Sequence, residues 1–167
     1  RATADGALTV DITASGANGL DTGSEASNTW YYVWLIAKSS DGTLAGLLST
    51  SATAPTLPSG YDKQRCVGVV RNNASSNLLR GRTMRGGGLM RYWTYHENTM
   101  ATPFRVLSAA NLTTTTWTDV DTSAVVPPLS RRATLYFLMS TPSASAAVTW
   151  REKGVTTHEI NIVSAQS

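Results

Sequence analysis

The chain has 167 residues, a formal net charge of +3 at pH 7 and 15% charged residues, below the quarter or so that is usual in globular domains. This length predicts a single domain spanning residues 1–167, long enough to bury a core. One cysteine excludes an internal disulfide. No stretch is apolar over the roughly 20 residues that a membrane-spanning helix needs, so we expect no membrane insertion.

The polar composition favours strands over helices. The sequence contains 24 Thr and 18 Ser; Thr is common in strands and Ser in turns. No amphipathic pattern with a 3.6-residue period continues beyond two turns. The sequence therefore predicts an all-β chain with no substantial helix.

The first strands are predicted from apolar patterns near the start of the chain. Leu8–Thr13 alternates apolar and polar side chains, which is typical of a half-buried strand. The segment 14–27 is rich in Gly, Ser and Asn and predicts a surface loop that carries Asp21 and Glu25. Trp30–Ile36 is aromatic or branched almost without interruption, which predicts a central strand buried on both faces.

A hairpin is predicted after this central strand. Asp41 and Gly42 are typical turn residues, so residues 43–49 are expected to return as the second strand. A proline-containing loop at 54–61 follows, and residues 64–71 predict a third strand.

The remaining chain predicts shorter elements. The segment Gly81–Gly88 is strongly basic and ends in three glycines, which predict a flexible and irregular conformation. Val125–Leu129 is expected to be extended but outside a central strand, because proline lacks the ladder donor. Further strands are predicted at 89–96, 116–120, 131–140, 146–151 and 155–163, and 78–80 and 103–108 are additional candidates. About nine or ten short strands predict a β-sandwich, with a jelly roll as the first choice of topology and a simpler Greek-key sandwich as the second.

One stretch of the chain resembles a known family. Its residues are Trp30–Ala37, Asp41–Thr43, Ser49–Tyr61 and Arg65–Gly68. In this order they resemble a segment that recurs in tail-fibre and other virion-surface proteins of tailed bacteriophages and prophages. The stretch covers about a quarter of the chain and contains no catalytic motif. The resemblance implies a virion-surface module, often a homotrimer, and identifies no ligand.

Basic residues are concentrated between Lys63 and Arg91, where there are seven and no acidic residue. Arg suits interfaces because its planar guanidinium pairs bidentately. Three interpretations are open: a solvated or intersubunit surface, a contact with an anionic partner such as lipopolysaccharide phosphate or an acidic capsid face, and nucleic acid, which the low net charge disfavours. The candidate partner contacts are Arg71, Arg80, Arg82, Arg85 and Arg91.

Aromatic residues offer a second kind of contact. The chain has five Trp and six Tyr. Exposed rings of this type bind the apolar faces of sugars, although most Trp in β-sandwiches belong to the core. The candidate glycan contacts are Tyr61, at the end of the proline-containing loop, and Tyr92 and Trp93.

Signals of catalysis are weak. His96 and His158 lie far apart in the sequence, each in a predicted strand, and no Gly-x-Ser-x-Gly motif is present. Each His is followed by a Glu, but neighbours in a strand point to opposite faces, so neither pair provides two ligands for one metal. We expect no catalytic residue and no cofactor.

Signals of metal binding are equally weak. Asp21, Asp119 and Asp121 lack the glycine and the distant glutamate of a calcium loop. Cys66 lies in a predicted strand and is interpreted as a small buried hydrophobic residue. We expect no metal site.

We therefore expect a non-enzymatic module of the virion surface, a fibre or tail knob that is made in the bacterial cytoplasm and adheres to the host. Its expected partners are itself, as a homotrimer, other virion proteins, and a host-surface glycan or lipopolysaccharide. The alternatives are a capsid decoration protein that holds the shell through residues 71–91, a carbohydrate-binding module, and a small hydrolase. Because the chain begins at Arg1 and not at Met, we expect it to be part of a longer or processed protein.

Overall fold

The structure is a computed structural model that describes residues 6–86, 89–94, 117–128, 130, 133, 145–154 and 160–165. The chain divides into two compact units. Unit 1 comprises Arg1–Ser108 with Thr122–Leu129, and unit 2 comprises Ala109–Asp121 with Ser130–Ser167. The single domain over 1–167 stays a prediction.

The described regular elements are all strands. Unit 1 contains six and unit 2 contains two. In chain order they are β1 (Gly19–Leu20), β2 (Thr29–Ala37), β3 (Leu44–Ser49), β4 (Lys63–Asn72), β5 (Gly81–Gly86), β6 (Leu89–Thr94), β7 (Ser145–Trp150) and β8 (Ile160–Ala165). The all-β prediction is confirmed at this level, since none of the described residues is helical. Within the described part of the chain no helix has the length and apolar character to cross a membrane.

The centre of unit 1 is a mixed four-stranded sheet in the order β1-β3-β2-β4. β2 pairs antiparallel with both β3 and β4, which confirms the predicted central strand, hairpin and third strand. At the hairpin turn the Asp41 carboxylate accepts a hydrogen bond from the Thr43 amide at 2.8 Å. Gly42 adopts φ 76°, a conformation that glycine takes without steric cost.

β2 is buried on both faces, as predicted. On one face, called face A, the alternate residues of β2 from Trp30 to Ile36 pack with Ala45, Leu47 and Val69. On the opposite face, called face B, Tyr31 packs with Leu20 and Leu48. Both faces of the sheet therefore carry their own apolar cluster, which is why this strand has almost no polar side chain.

Face B is covered by the N-terminal segment, but this segment is not the predicted strand. Residues 8–11 form no ladder and 12–13 are in a turn, so the strand predicted at Leu8–Thr13 is wrong. The physical reason is Asp11, whose carboxylate accepts hydrogen bonds from the amide and hydroxyl of Thr13 at 2.9 and 2.7 Å. Val10 and Ile12 still pack against face B, whereas Leu8 is 41% exposed.

The predicted surface loop at 14–27 contains a strand that the sequence pattern did not indicate. Gly19 and Leu20 pair in parallel with Leu47 and Leu48, and Leu20 is 2% exposed. A two-residue strand has no periodicity to detect, and its pairing partner lies far along the chain.

β4 changes register with β2 through a bulge. Val33 pairs with Gly68, but Trp34 pairs with Cys66, so Val67 has no opposite residue and is 40% exposed. The N-terminal half of β4 is exposed as well. A bulge on an edge strand bends the strand and disfavours pairing with another sheet.

The prediction of an irregular segment at Gly81–Gly88 is wrong for its first six residues. Gly81–Gly86 forms β5, which pairs antiparallel with β6. The ladder with Leu89–Thr94 supplies the hydrogen bonds that an isolated glycine-rich segment would lack. Residues 87–88 lie outside the described residues. Upstream of β5, in place of the short strand predicted at 78–80, the structure has a single bridge between Asn72 and Leu78.

In unit 2, β7 and β8 pair antiparallel with Trp150 opposite Ile160, which confirms a terminal hairpin. Residues 117–120 form no strand, contrary to prediction. Their side chains are instead engaged within unit 2: the guanidinium of Arg151 lies 4.0 Å from the centroid of the Trp117 ring, and Lys153 pairs with Asp119. The strands predicted at 103–108 and 131–140 lie outside the described residues, apart from isolated positions.

Candidate functional site

Face A of unit 1 carries an open groove of about 740 Å³ at one end of the sheet. The groove lies where β2 begins and where β3 and β4 end. The described lining combines two aromatic rings, several hydroxyl groups, one side-chain amide and one guanidinium. The lining residues are Asn28, Thr29, Trp30, Tyr32, Thr50, Ala52, Thr53, Arg71, Ser123, Val126 and Pro128.

One wall of the groove is the segment 122–128, which belongs to unit 1. It is a turn, because the amides of Val125 and Val126 donate to the carbonyl of Thr122 at 2.9 and 2.8 Å. The extended conformation predicted for Val125–Leu129 is therefore wrong at its start. This local hydrogen bonding outweighs the tendency of the following prolines to favour an extended chain.

Two aromatic side chains of β2 bind the 122–128 segment. Trp30 Nε1 donates to the carbonyl of Ser123 at 2.7 Å, and the Tyr32 hydroxyl donates to the carbonyl of Pro128 at 2.9 Å. The rings themselves are buried in the face A cluster. Burial, and next the nearby Cys66 thiol, raise the pKa of Tyr32 above its ordinary value. The phenol therefore remains a hydrogen-bond donor across the neutral pH range.

Arg71 lies opposite Trp30 in the β2–β4 ladder, so both side chains belong to face A. The guanidinium carbon of Arg71 is 5.6 Å from the centroid of the Trp30 ring, within the range of a cation–π contact. Arg71 is 8% exposed, and burial lowers the pKa of Arg71 from its ordinary value. Within the described part of the chain it has no ion pair.

The other four predicted basic contacts lie after β4 and in the β5–β6 hairpin. Arg80 is exposed in the segment that follows β4. In the β5–β6 ladder, position 82 is opposite 93 and position 84 is opposite 91. Arg82, Arg85 and Arg91 are residues of this ladder. The grouping of the five arginines into one basic patch stays a prediction.

The three predicted glycan contacts come from the proline-containing loop and from β6. Tyr61 packs against the face A cluster, and Lys38 Nζ lies 5.1 Å from the centroid of its ring. Tyr92 and Trp93 are successive residues of β6. The role of these three residues as glycan contacts stays a prediction.

The acidic residues of unit 1 hold loops in place. Asp21 accepts hydrogen bonds from the Ser49 hydroxyl at 2.6 Å and from the Thr56 amide at 3.0 Å, which attaches the proline-containing loop to the sheet. Asp62 accepts from the hydroxyl and amide of Ser39 and from Lys63. These contacts, led by the Ser39 hydroxyl, lower the pKa of Asp62 to about 2.

The candidate catalytic and metal residues are only partly described. His96 and His158 lie outside the described residues. Asp119 pairs with Lys153, and among the residues that the structure describes no three His, Cys, Asp or Glu side chains are grouped as a metal site. Cys66 is partly buried against the face A cluster, and its thiol donates to the Gly68 carbonyl at 3.5 Å.

Sequence reasoning missed the groove as a site. One signal was present: Val69 and Arg71 alternate on the predicted strand, so an arginine falls on the same face as a core valine. Nothing in the sequence pattern indicated that residues 122–128 return to this face.

The chain was compared with family models, with curated proteins and with solved structures. No family model, no curated protein and no solved structure was found to match it.

Proposed function

We propose that this chain is a non-enzymatic structural and attachment module on the virion surface of a tailed bacteriophage or prophage. The observation that carries the proposal is the position of the stretch that resembles virion-surface proteins. Its residues fall on β2, on the β2–β3 turn, on the loop after β3 and on β4. The resemblance therefore coincides with the framework of the main sheet and is not limited to an exposed loop.

The proposed fold is a β-sandwich, with a jelly roll as the preferred topology. It is supported by the two apolar clusters of the main sheet, one on face A and one on face B. A sheet that is apolar on both faces needs a covering layer on each. Segments 122–128 and 8–13 cover parts of the two faces in unit 1, and further strands are expected to complete the layers.

The proposed assembly is a homotrimer that adheres to the host surface. Few charges reduce the repulsion between copies, and the preference for Arg over Lys suits interfaces. The exposed first half of β4, with Val67 at the bulge, provides a surface for such contacts.

Solution mass, measured by light scattering at several concentrations, tests the assembly. A stable particle of about three times the 17.8 kDa chain mass supports the fibre-type module, because three-fold closure is typical of fibres. A monomer at every concentration contradicts it and favours the carbohydrate-binding module. Binding to empty capsids that weakens with added salt would instead favour the decoration protein, since salt screens charge contacts.

A further inference from the structure

Arg71 is the most unusual charged residue of the described sheet. It is 8% exposed and lines the groove on face A. Removing hydration from a guanidinium without supplying a counter-charge is energetically costly. Arginine cannot avoid this cost by losing its proton.

The contacts of Arg71 compensate for only part of this cost. Trp30 offers its ring face at 5.6 Å, a cation–π contact that replaces only part of the lost hydration. The residues that the structure describes give the Arg71 side chain no carboxylate and no hydrogen-bond acceptor. A buried cation that lines an open groove and has no counter-charge among the described residues is the arrangement expected of an anion-binding site.

The rest of the groove indicates what surrounds the anion. Thr29, Thr50 and Thr53 supply hydroxyl groups and Asn28 supplies an amide, while none of the described lining residues is an Asp or Glu. The hydroxyls and the amide both donate and accept, which matches the hydroxyl groups of a sugar. A volume of about 740 Å³ lies within the range of ligand sites and holds more than a bare inorganic ion.

We propose that the groove binds an acidic sugar, with Arg71 holding its oxyanion, a carboxylate or a phosphate, through the guanidinium fork. Trp30 keeps the guanidinium in place from the side opposite to the ligand. Thr29, Thr50, Thr53 and Asn28 contact the sugar hydroxyls. The inference deepens the attachment role and rests on it for its biological meaning, but the site itself is argued from Arg71 and the groove.

The test titrates the whole purified chain with glucuronate, glucose 6-phosphate, inorganic phosphate and glucose, and follows the Arg71 Nε–H resonance by NMR. Glucuronate and glucose 6-phosphate separate a carboxylate from a sugar phosphate, and inorganic phosphate separates the anion from the sugar. We expect saturable shifts with at least one acidic sugar and at least about tenfold weaker binding of glucose, since hydrogen bonds to a charged group carry the discrimination. Equal binding of glucose overturns the proposal, as does binding of no acidic sugar at millimolar concentration.

The variant Arg71→Met keeps an apolar stem against Trp30 and removes the charge. We expect at least about a tenfold loss of affinity for the acidic sugar, with a melting temperature equal to or above that of the parent, because a desolvated cation has been removed. The matched control is Arg65→Met, an exposed arginine of the same strand that pairs with Leu35 on face B; its affinity should be unchanged. Equal affinities in Arg71→Met and the parent overturn the proposal.

Two measurements on the parent protein keep the inference testable if Arg71→Met does not fold. Affinity for the acidic sugar should fall as salt is raised, since the contact is between charges. It should also exceed the affinity for glucose under the same conditions. If the chain binds glucuronate but is absent from virions, the acidic-sugar site is supported and the virion role is contradicted. If the chain is found on virions but binds no acidic sugar, the virion role is supported and the acidic-sugar site is contradicted.

Discussion

At the residue scale, Trp30 and Tyr32 each have two roles, one in the core and one at the groove. Their rings fill the face A cluster, and their polar ends reach the carbonyls of Ser123 and Pro128. Buried Tyr and Trp usually find such partners, because an unpaired polar group in the interior costs stability. These two hydrogen bonds fix the segment that forms one wall of the groove.

Replacing Tyr32 by Phe tests this role. The substitution keeps the ring and removes the donor to Pro128, so we expect a loss of about 0.5–1.5 kcal/mol in the free energy of unfolding. Urea denaturation measures it. The control is Tyr61→Phe, whose ring lies beside Lys38 and whose hydroxyl has no hydrogen bond to the described residues. Equal stabilities of the two variants would show that the Pro128 contact contributes nothing.

At the element scale, strands with local signals were the predictable ones. β2, β3 and β4 follow from apolar runs and from the Asp41-Gly42 turn, all of which lie within the elements themselves. β1 could not be predicted, because two residues pair with a strand that lies more than 20 positions later. Leu8–Thr13 shows the opposite error: its alternation is real, but the side-chain hydrogen bonds of Asp11 turn the chain before it can pair.

The close packing of β1 gives a prediction at this scale. A side chain on Gly19 would meet the backbone of Ala14, whose carbonyl accepts a hydrogen bond from the Leu20 amide. We expect Gly19→Ala to lower the free energy of unfolding by about 1–3 kcal/mol, because backbone must shift to admit the methyl group. Gly6→Ala is the control, since nothing lies near its added carbon, and it should change stability by less than about 0.5 kcal/mol. Thermal and urea unfolding of both variants measure these changes in stability. An unchanged free energy of unfolding in Gly19→Ala would contradict the close packing of Gly19 against Ala14.

At the scale of the whole molecule, the groove is the part that sequence reasoning could not reach. The hydrogen bonds that bring residues 122–128 onto face A join positions 93 and 96 residues apart. Periodicity and turn signals report only local structure, so they predict that Arg71 lies on a strand but not what covers it. The same limit applies to the basic patch, which was grouped by sequence proximity alone and stays a prediction.

The proposed virion-surface role belongs to this scale as well. It rests on the framework formed by β2, β3 and β4, which carries the resembling residues, while the groove beside it is the proposed contact with an acidic sugar. A module of this kind must be found on the outside of particles, where it reaches the host surface.

The most direct measurement is immunogold electron microscopy. Antibodies raised against the purified chain are applied to phage particles released by the cells that encode it. The account predicts gold on the outside of intact particles, at the fibres or the tail. Label on the capsid shell alone would favour the decoration protein instead, and particles without label, from cells that produce the chain, would contradict the virion-surface role.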